Sequence, residues 1–325
     1  YACFDEQGEQ FLTCNDDGQV RIYDAKTGQL TQAPLNHDGP VTWASFHKLG
    51  RTIISFSSFN ALKTRRATLY TWDLAASIPY SRPLRHSVGK YRASFHPTKD
   101  MVLTTGDDGR LVTWNTDPVI PALEIEIPGL VLTGYSGNGE KILPIAAGDE
   151  TVTQVWDAES GKSISPAIKQ PPDLSIVHLN QDGSKILTVT DKKFLRVFDS
   201  VTGKIVFETK AGLGNTFATF VNQGRNILYL NDGISTLLET DSGKKIWNVV
   251  DQARDNGLYT RLVTSPNDKY YVTTLHLWED GTEGQTDYHY VSLFVHNLDN
   301  GKLASQFGLS SDVRDLTFNA NGTRL

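Results

Sequence analysis

The sequence predicts an all-β protein built from repeated four-stranded antiparallel units. Three observations carry that prediction. A short phrase recurs along the whole chain, and its second residue falls at 24, 73, 115, 157, 199, 239 and 297. The steps are 49, 42, 42, 42, 40 and 58 residues, so one unit length repeats and two copies carry insertions. A second motif, an apolar residue followed by variable positions and a turn, runs in phase with the first. Between turns, apolar and polar residues alternate with period two, as Val20 and Ile22 do against Arg21 and Tyr23, and no segment offers a capped helical stripe.

Taken in order, the phrase reads Tyr23-Asp24-Ala-Lys-Thr-Gly28, Trp72-Asp73-Leu, Trp114-Asn115-Thr and Trp156-Asp157-Ala-Glu-Ser-Gly161. It continues as Phe198-Asp199-Ser-Val-Thr-Gly203, Leu238-Glu239-Thr-Asp-Ser-Gly243 and His296-Asn297-Leu-Asp-Asn-Gly301. The turn motif opens at Phe4, Phe46, Phe95, Tyr135, Leu179, Phe220 and Phe318. A third element, Asn15-Asp-Asp17-Gly18, returns around Asp108-Gly109 and Asp232-Gly233, and Asp-Gly pairs supply the positive backbone dihedrals of tight hairpins. In the second unit the expected strands are Val41–Phe46, Arg51–Phe56, Thr68–Asp73 and roughly Ser81–Arg85. The units are approximately 1–36, 37–86, 87–127, 128–170, 171–211, 212–252 and 253–308, with 309–325 starting an eighth unit or closing a ring.

Units of this kind resemble WD40 repeats, whose four-stranded blades form a β-propeller. The strongest stretches are Leu35-Asn-His37-Asp-Gly-Pro-Val41 and Leu103-Thr-Thr-Gly-Asp-Asp108-Gly-Arg-Leu-Val-Thr-Trp114-Asn115, and the Gly-Lys style of Gly161-Lys162 is similar to bacterial members. The resemblance implies a single seven-bladed propeller over 1–325, with eight blades or part of a tandem propeller as the alternative. It also implies a buried hydrogen-bond chain of His, Ser or Thr, Asp and Trp within a blade. The third blade matches with His86, Thr104, Asp108 and Trp114. The second keeps His37 and Trp72 but has an insertion in place of the Asp turn, and the first has Thr13, Asp17 and Tyr23. Blades four to six hold Glu126, Gln170 and Ala211 where the His would stand. Closure would place Val313–Phe318 as inner strand beside Gln10–Cys14, displacing Tyr1–Phe4.

His37, His86, Asp17, Asp108 and Asp232 are acid–base candidates by residue type, but they recur in repeat phase, which makes them structural. Both insertions fall between the second and third strands of a unit, at Phe56–Thr68 and Leu275–Val291. The first carries Phe59 and the basic Lys63, Arg65 and Arg66; the second carries His276, Trp278, Glu279, Asp280, Glu283, Asp287, Tyr288 and His289. Carboxylates with two imidazoles suit a divalent metal, but these lack tight spacing and read as an acidic hairpin. The insertions are expected to flank the first blade and to form a partner site anchored by Phe59, Trp278 and Tyr288. Cys3 and Cys14 lie equidistant from Gly8-Glu9, facing across two strands as free thiols. Asn321-Gly-Thr323 fits a glycosylation sequon within a repeat turn. Thr240-Asp241-Ser-Gly243-Lys-Lys-Ile-Trp247 resembles the tryptophan-docking phrase of quinoprotein-type propellers, but it occurs once here and in most blades there.

Composition narrows the function classes. Hydrophobic content of 39% and charged content of 21% are those of a globular chain, and a net charge of −6 over 325 residues argues against a dedicated nucleic-acid binder. No apolar run is long enough for a membrane-spanning helix, and no P-loop, His-Glu-x-x-His or Gly-x-Ser-x-Gly occurs. The chain opens at Tyr1 and stops at Leu325 in mid-motif, which reads as a fragment of a longer protein, such as one joined to a signalling domain. The expected function is a non-enzymatic protein–protein interaction scaffold with no cofactor and no metal; its compartment is left open, with the cytoplasm favoured. The alternative is a propeller lactonase, hydrolase or quinoprotein-like enzyme working in the central channel.

Overall fold

The computed structural model describes residues 1–47, 52–61, 64–75, 80–84, 91–116, 119–148, 150–190, 194–210, 212, 216–250, 257–278, 288–309, 313, 316–319 and 321–325. Seven four-stranded antiparallel sheets follow one another along the chain, the blades of a seven-bladed β-propeller. The first contains β1 (Ala2–Phe4), β2 (Gln10–Cys14), β3 (Gln19–Asp24) and β4 (Leu35–Asn36). The second contains β5 (Val41–Phe46), β6 (Thr52–Ala61), β7 (Thr64–Asp73) and β8 (Tyr80–Leu84), and the third β9 (Tyr91–Phe95), β10 (Met101–Gly106), β11 (Arg110–Thr116) and β12 (Val119–Glu126). Blade four is fragmented into β13 (Leu130–Leu132), β14 (Lys141–Ile142), β15 (Ile145–Ala146), β16 (Thr151–Thr153), β17 (Trp156–Asp157) and β18 (Ile168–Gln170). Its second strand breaks at Leu143-Pro144, where proline has no N–H to give the ladder.

The fifth blade runs β19 (Leu174–Leu179), β20 (Lys185–Thr190), β21 (Phe194–Asp199) and β22 (Ile205–Lys210). The sixth runs β23 (Thr216–Val221), β24 (Asn226–Asn231), β25 (Ile234–Glu239) and β26 (Lys245–Val250). The seventh runs β27 (Gly257–Thr264), β28 (Tyr270–Trp278), β29 (Tyr288–Asn297) and β30 (Leu303–Leu309). One 3-10 turn at Asn222–Gly224 is the only helical element among the described residues. The chain packs as two compact units, Tyr1–Gln170 with Asn319–Arg324, and Pro171–Phe318 with Leu325. Within each, the core is apolar surface pressed between consecutive blades. Leu103 and Leu111 of the third blade meet Leu130 and Ile142 of the fourth, and Leu228 and Leu237 of the sixth meet Tyr271 of the seventh.

Three expectations need correction. The place of inner strand beside β2 is held by β1, through Ala2↔Thr13, Cys3↔Leu12 and Phe4↔Phe11, so Tyr1–Phe4 is not displaced. That register also puts Cys3 opposite Leu12 rather than Cys14; both thiols are buried and neither forms a disulfide. The hairpin turn closes nearer the N-terminus than the sequence suggested because Asp5 Oδ1 takes the Glu9 and Gln10 amides. Third, the second-unit strands, expected to end at Phe56 and to resume at Thr68, run on to Ala61 and resume at Thr64.

Val313, Leu316 and Phe318 pack against Val272, Val291 and Leu293 of the seventh blade, and Asn319 lies against Gly8 of the first. Removing 313–325 should therefore uncover blade-seven core and lower the melting temperature by about 5 °C or more. An unchanged scanning-calorimetry profile would show that this cover contributes nothing.

Candidate functional site

The histidine-to-tryptophan chain is built by strand pairing. In the second blade β6 brings Ser55 between His37 and Trp72, and Ser55 is fully buried. Ser55 Oγ lies 2.6 Å from His37 Nε2 and accepts the Trp72 indole N–H at 2.7 Å. His37 Nδ1 faces the Leu35 and Gly18 carbonyls at 3.2 and 3.3 Å, so the proton sits on Nδ1 and Ser55 donates to Nε2. Burial holds this imidazole below its ordinary range. Ser55 was not singled out from sequence, because a serine in a strand carries no pattern of its own. In the third blade Trp114 donates to Thr104 Oγ1 at 2.7 Å and Asp108 accepts the Arg110 amide, while His86 lies outside the described residues. Blade one departs from the expectation. Asp17 is exposed and pairs with Arg21 at 2.7 Å, which lowers its pKa, and Tyr23 stacks on Phe11. Gln170, at the histidine position ahead of the fifth blade, instead bonds back within the fourth, donating to Thr153 Oγ1 of the neighbouring strand at 3.3 Å.

A second device repeats at the blade turns. In most blades the residue after the apolar start of the turn is a buried polar group whose side chain accepts backbone amides of its own turn. Asn180 Oδ1 takes Lys185 N at 2.9 Å, Asn319 Oδ1 takes Thr323 N and Arg324 N at 2.9 Å each, and Ser136 Oγ takes Lys141 N at 3.1 Å. His96 does the same with Nδ1, receiving Thr98 N at 3.1 Å and Lys99 N at 3.0 Å. These groups also seat against a glycine of another repeat: His96 on Gly139, Asn180 on Gly224, Asn319 on Gly8. Small polar clefts open along two of these seams. One of about 270 Å³ is lined by His96, Lys99, Glu140 and Glu159, the other of about 360 Å³ by Glu9, Lys26, Asn319 and Arg324. Their equivalence marks them as seams of the repeat.

The two insertions are hairpins. β6 and β7 have 10 residues each, against 6 and 7 in β10 and β11 and 6 each in β24 and β25. Among the described residues, pairing with β5 ends at Ser57 and with β8 at Leu69, yet β6 and β7 stay paired to Ala61↔Thr64. A two-stranded ribbon thus runs on for about 14 Å at ~3.4 Å per residue. It carries the Phe59↔Arg66 and Asn60↔Arg65 pairs; Lys63 lies outside the described residues. In the seventh blade β28 and β29 pair to Trp278↔Tyr288, and Glu279, Asp280, Glu283 and Asp287 lie outside the described residues. The two hairpins belong to different compact units. Among the described residues no group of three or more His, Cys, Asp or Glu side chains is placed to hold a metal ion, and no helix is long and apolar enough to cross a membrane.

The Thr240–Trp247 phrase has a structural task in this chain. Trp247 stacks on Tyr271 of the seventh blade, with centroids 6.1 Å apart, and lies beneath Gly301. The phrase docks blade six onto blade seven. Residues 142–306, just over half of the chain, match a family model described as outer membrane protein assembly factor BamB. The chain belongs to that family. Solved structures agree on the architecture of this family member. The C-terminal WD40 domain of Sif2 superposes with a TM-score of 0.73 at 14% identity, covering 99% of this chain and 90% of that one. The computationally designed Ika8 protein gives 0.72 at 15%, covering 98% and 89%. The fold is that of a WD40-type β-propeller.

Curated relatives are longer proteins. TOPLESS-RELATED PROTEIN 2 of Oryza sativa subsp. japonica is 28% identical over 217 residues, covering 58% of this chain and 18% of that protein. TBC1 domain family member 31 of Xenopus tropicalis is 23% identical over 273 residues, covering 82% and 21%. Coronin-like protein crn1 of Schizosaccharomyces pombe is 23% identical over 211 residues, covering 61% and 34%. The chain thus spans about a fifth to a third of these relatives. All three are eukaryotic, whereas the Gly-Lys turn style pointed to bacterial members.

Proposed function

We propose that this propeller is a protein-binding scaffold, without catalysis of its own, whose partner sites are the two extended hairpins. The observation that supports the reading is the β6–β7 ribbon, which among the described residues continues beyond the pairing with β5 and β8. A hairpin longer than the repeat needs is where binding residues concentrate. Phe59 with Lys63, Arg65 and Arg66 would suit an acidic partner segment. Trp278 and Tyr288 with Glu279, Asp280, Glu283 and Asp287 would suit a basic one.

Shortening the ribbon by joining Ser57 to Thr68 through Asn-Gly is expected to abolish capture of partners by immobilised protein. Arg65→Glu with Arg66→Glu should slow association and remove its salt dependence. Capture that survives both changes, together with the matching deletion of 279–287, would move the site elsewhere.

A further inference from the structure

The turn device differs in chemistry from blade to blade. Most turns use Ser or Asn, whose hydrogen bonding does not depend on pH: Ser136, Asn180, Ser265 and Asn319. Two consecutive turns use histidine, and both rings are buried: His47 is 2% exposed and His96 3%. The two rings are bonded in opposite ways.

His96 Nδ1 accepts two backbone amides, Thr98 N at 3.1 Å and Lys99 N at 3.0 Å, so that nitrogen has no proton. The proton sits on Nε2, on the side of the ring that meets the Gly139 backbone of the fourth blade. Contact there is close, because a Cβ built on Gly139 would lie 2.2 Å from the ring's Cε1. Tyr135 packs edge-on to the same ring at 4.8 Å. A second proton on Nδ1 would point at two N–H donors, and both bonds would be lost. His47, by contrast, has Nδ1 3.2 Å from the Asp100 carboxylate and Nε2 3.1 Å from the Lys99 carbonyl. Both of its partners are acceptors, so a doubly protonated ring keeps them.

We propose that the junction of the third and fourth blades is an acid-sensitive latch, released when His96 takes a second proton. The junction of the second and third blades, held by His47, stays closed under the same conditions. The charged groups around His96 favour this order. Its own turn supplies Lys99 and Asp100, the second blade supplies His47, and the fourth presents Glu140, Lys141, Asp157 and Glu159 along the cleft. Lys99 is paired with Glu159 at 3.7 Å. Burial, followed by Lys99, holds the ring below the ordinary imidazole range; the Gly139 contact opposes this and His47 adds to it. A depressed histidine pKa gives stability that is intact above the unfolded value of about 6.5 and lost as pH falls below it. Acid therefore opens this seam rather than tightening it.

Hydrogen exchange at pH 7.5 and pH 5, corrected for intrinsic rates, tests the latch. Exchange in segments 96–101 and 134–142 should rise severalfold at the lower pH, while the Asn180–Lys185 turn holds its protection. His96→Asn, which installs the residue used at Asn180 and Asn319, should remove that acid response. Unchanged protection of the wild type at pH 5, or an equal rise in His96→Asn, overturns the proposal. Should that variant fail to fold, the wild-type His96 ring titration by NMR decides. A midpoint below 6.5 supports the latch, and one at or above it overturns it.

Discussion

Replacing Ser55 with alanine is expected to lower stability by about 2–4 kcal/mol, since each buried polar group left unpaired costs ~1–3 kcal/mol. The single hydroxyl serves two neighbours: it receives the Trp72 indole N–H and gives its own proton to His37 Nε2. Alanine orphans both, with Ser55 and Trp72 buried and His37 half-buried. Ser55→Thr should recover most of the loss, because Thr104 already receives Trp114 in the third blade at the same 2.7 Å. Urea denaturation of the three proteins checks this, and a Ser55→Ala loss below about 0.5 kcal/mol would show that the chain contributes little.

Gly129→Ala should be at least as damaging, at about 2–4 kcal/mol. Gly129 has φ +74°, and a Cβ there would stand 2.2 Å from the carbonyl oxygen of Ala147. That oxygen belongs to backbone, so no rotamer change relieves the clash. Ala147 N also donates to Gly129 O at 2.8 Å, which ties the two segments together. Gly28 is the control. Its φ is +67° but nothing lies within 4 Å of its Cβ position, so Gly28→Ala should cost only the ~1–2 kcal/mol of the left-handed backbone. Thermal melts giving equal losses at both glycines would leave the Ala147 contact without weight.

The features legible in sequence were those that repeat or alternate. The 42-residue step located the blades, and Val41–Phe46 was placed to the residue because a period-two run lies between a Gly-Pro and a turn. What escaped was set by neighbours in space. Ser55 acquires its role from groups more than ten residues away, His37 and Trp72, and has no local signal. The Cys3 register was missed because the Asp5 carboxylate, not the Gly8-Glu9 position, closes the first hairpin. Ser58–Ala61 fell outside the expected strand because Asn60 and the charges after it interrupt the apolar pattern, yet the backbone ladder to β7 continues through them.

The contact of a turn side chain with a glycine of the next repeat has a consequence for engineering and descent. His96 fits over Gly139, Asn180 over Gly224 and Asn319 over Gly8, so half of each fit is owned by each of two repeats. A blade excised at its own sheet boundaries and grafted into another position would arrive with two unmatched halves. An imidazole would meet a glycine shaped around an amide, or the reverse. In sequence each covering residue and its glycine lie at least a full repeat apart, as His96 and Gly139 do, so no single-repeat graft carries both halves of a seam. Chimeras must co-transfer the glycine with the residue that covers it.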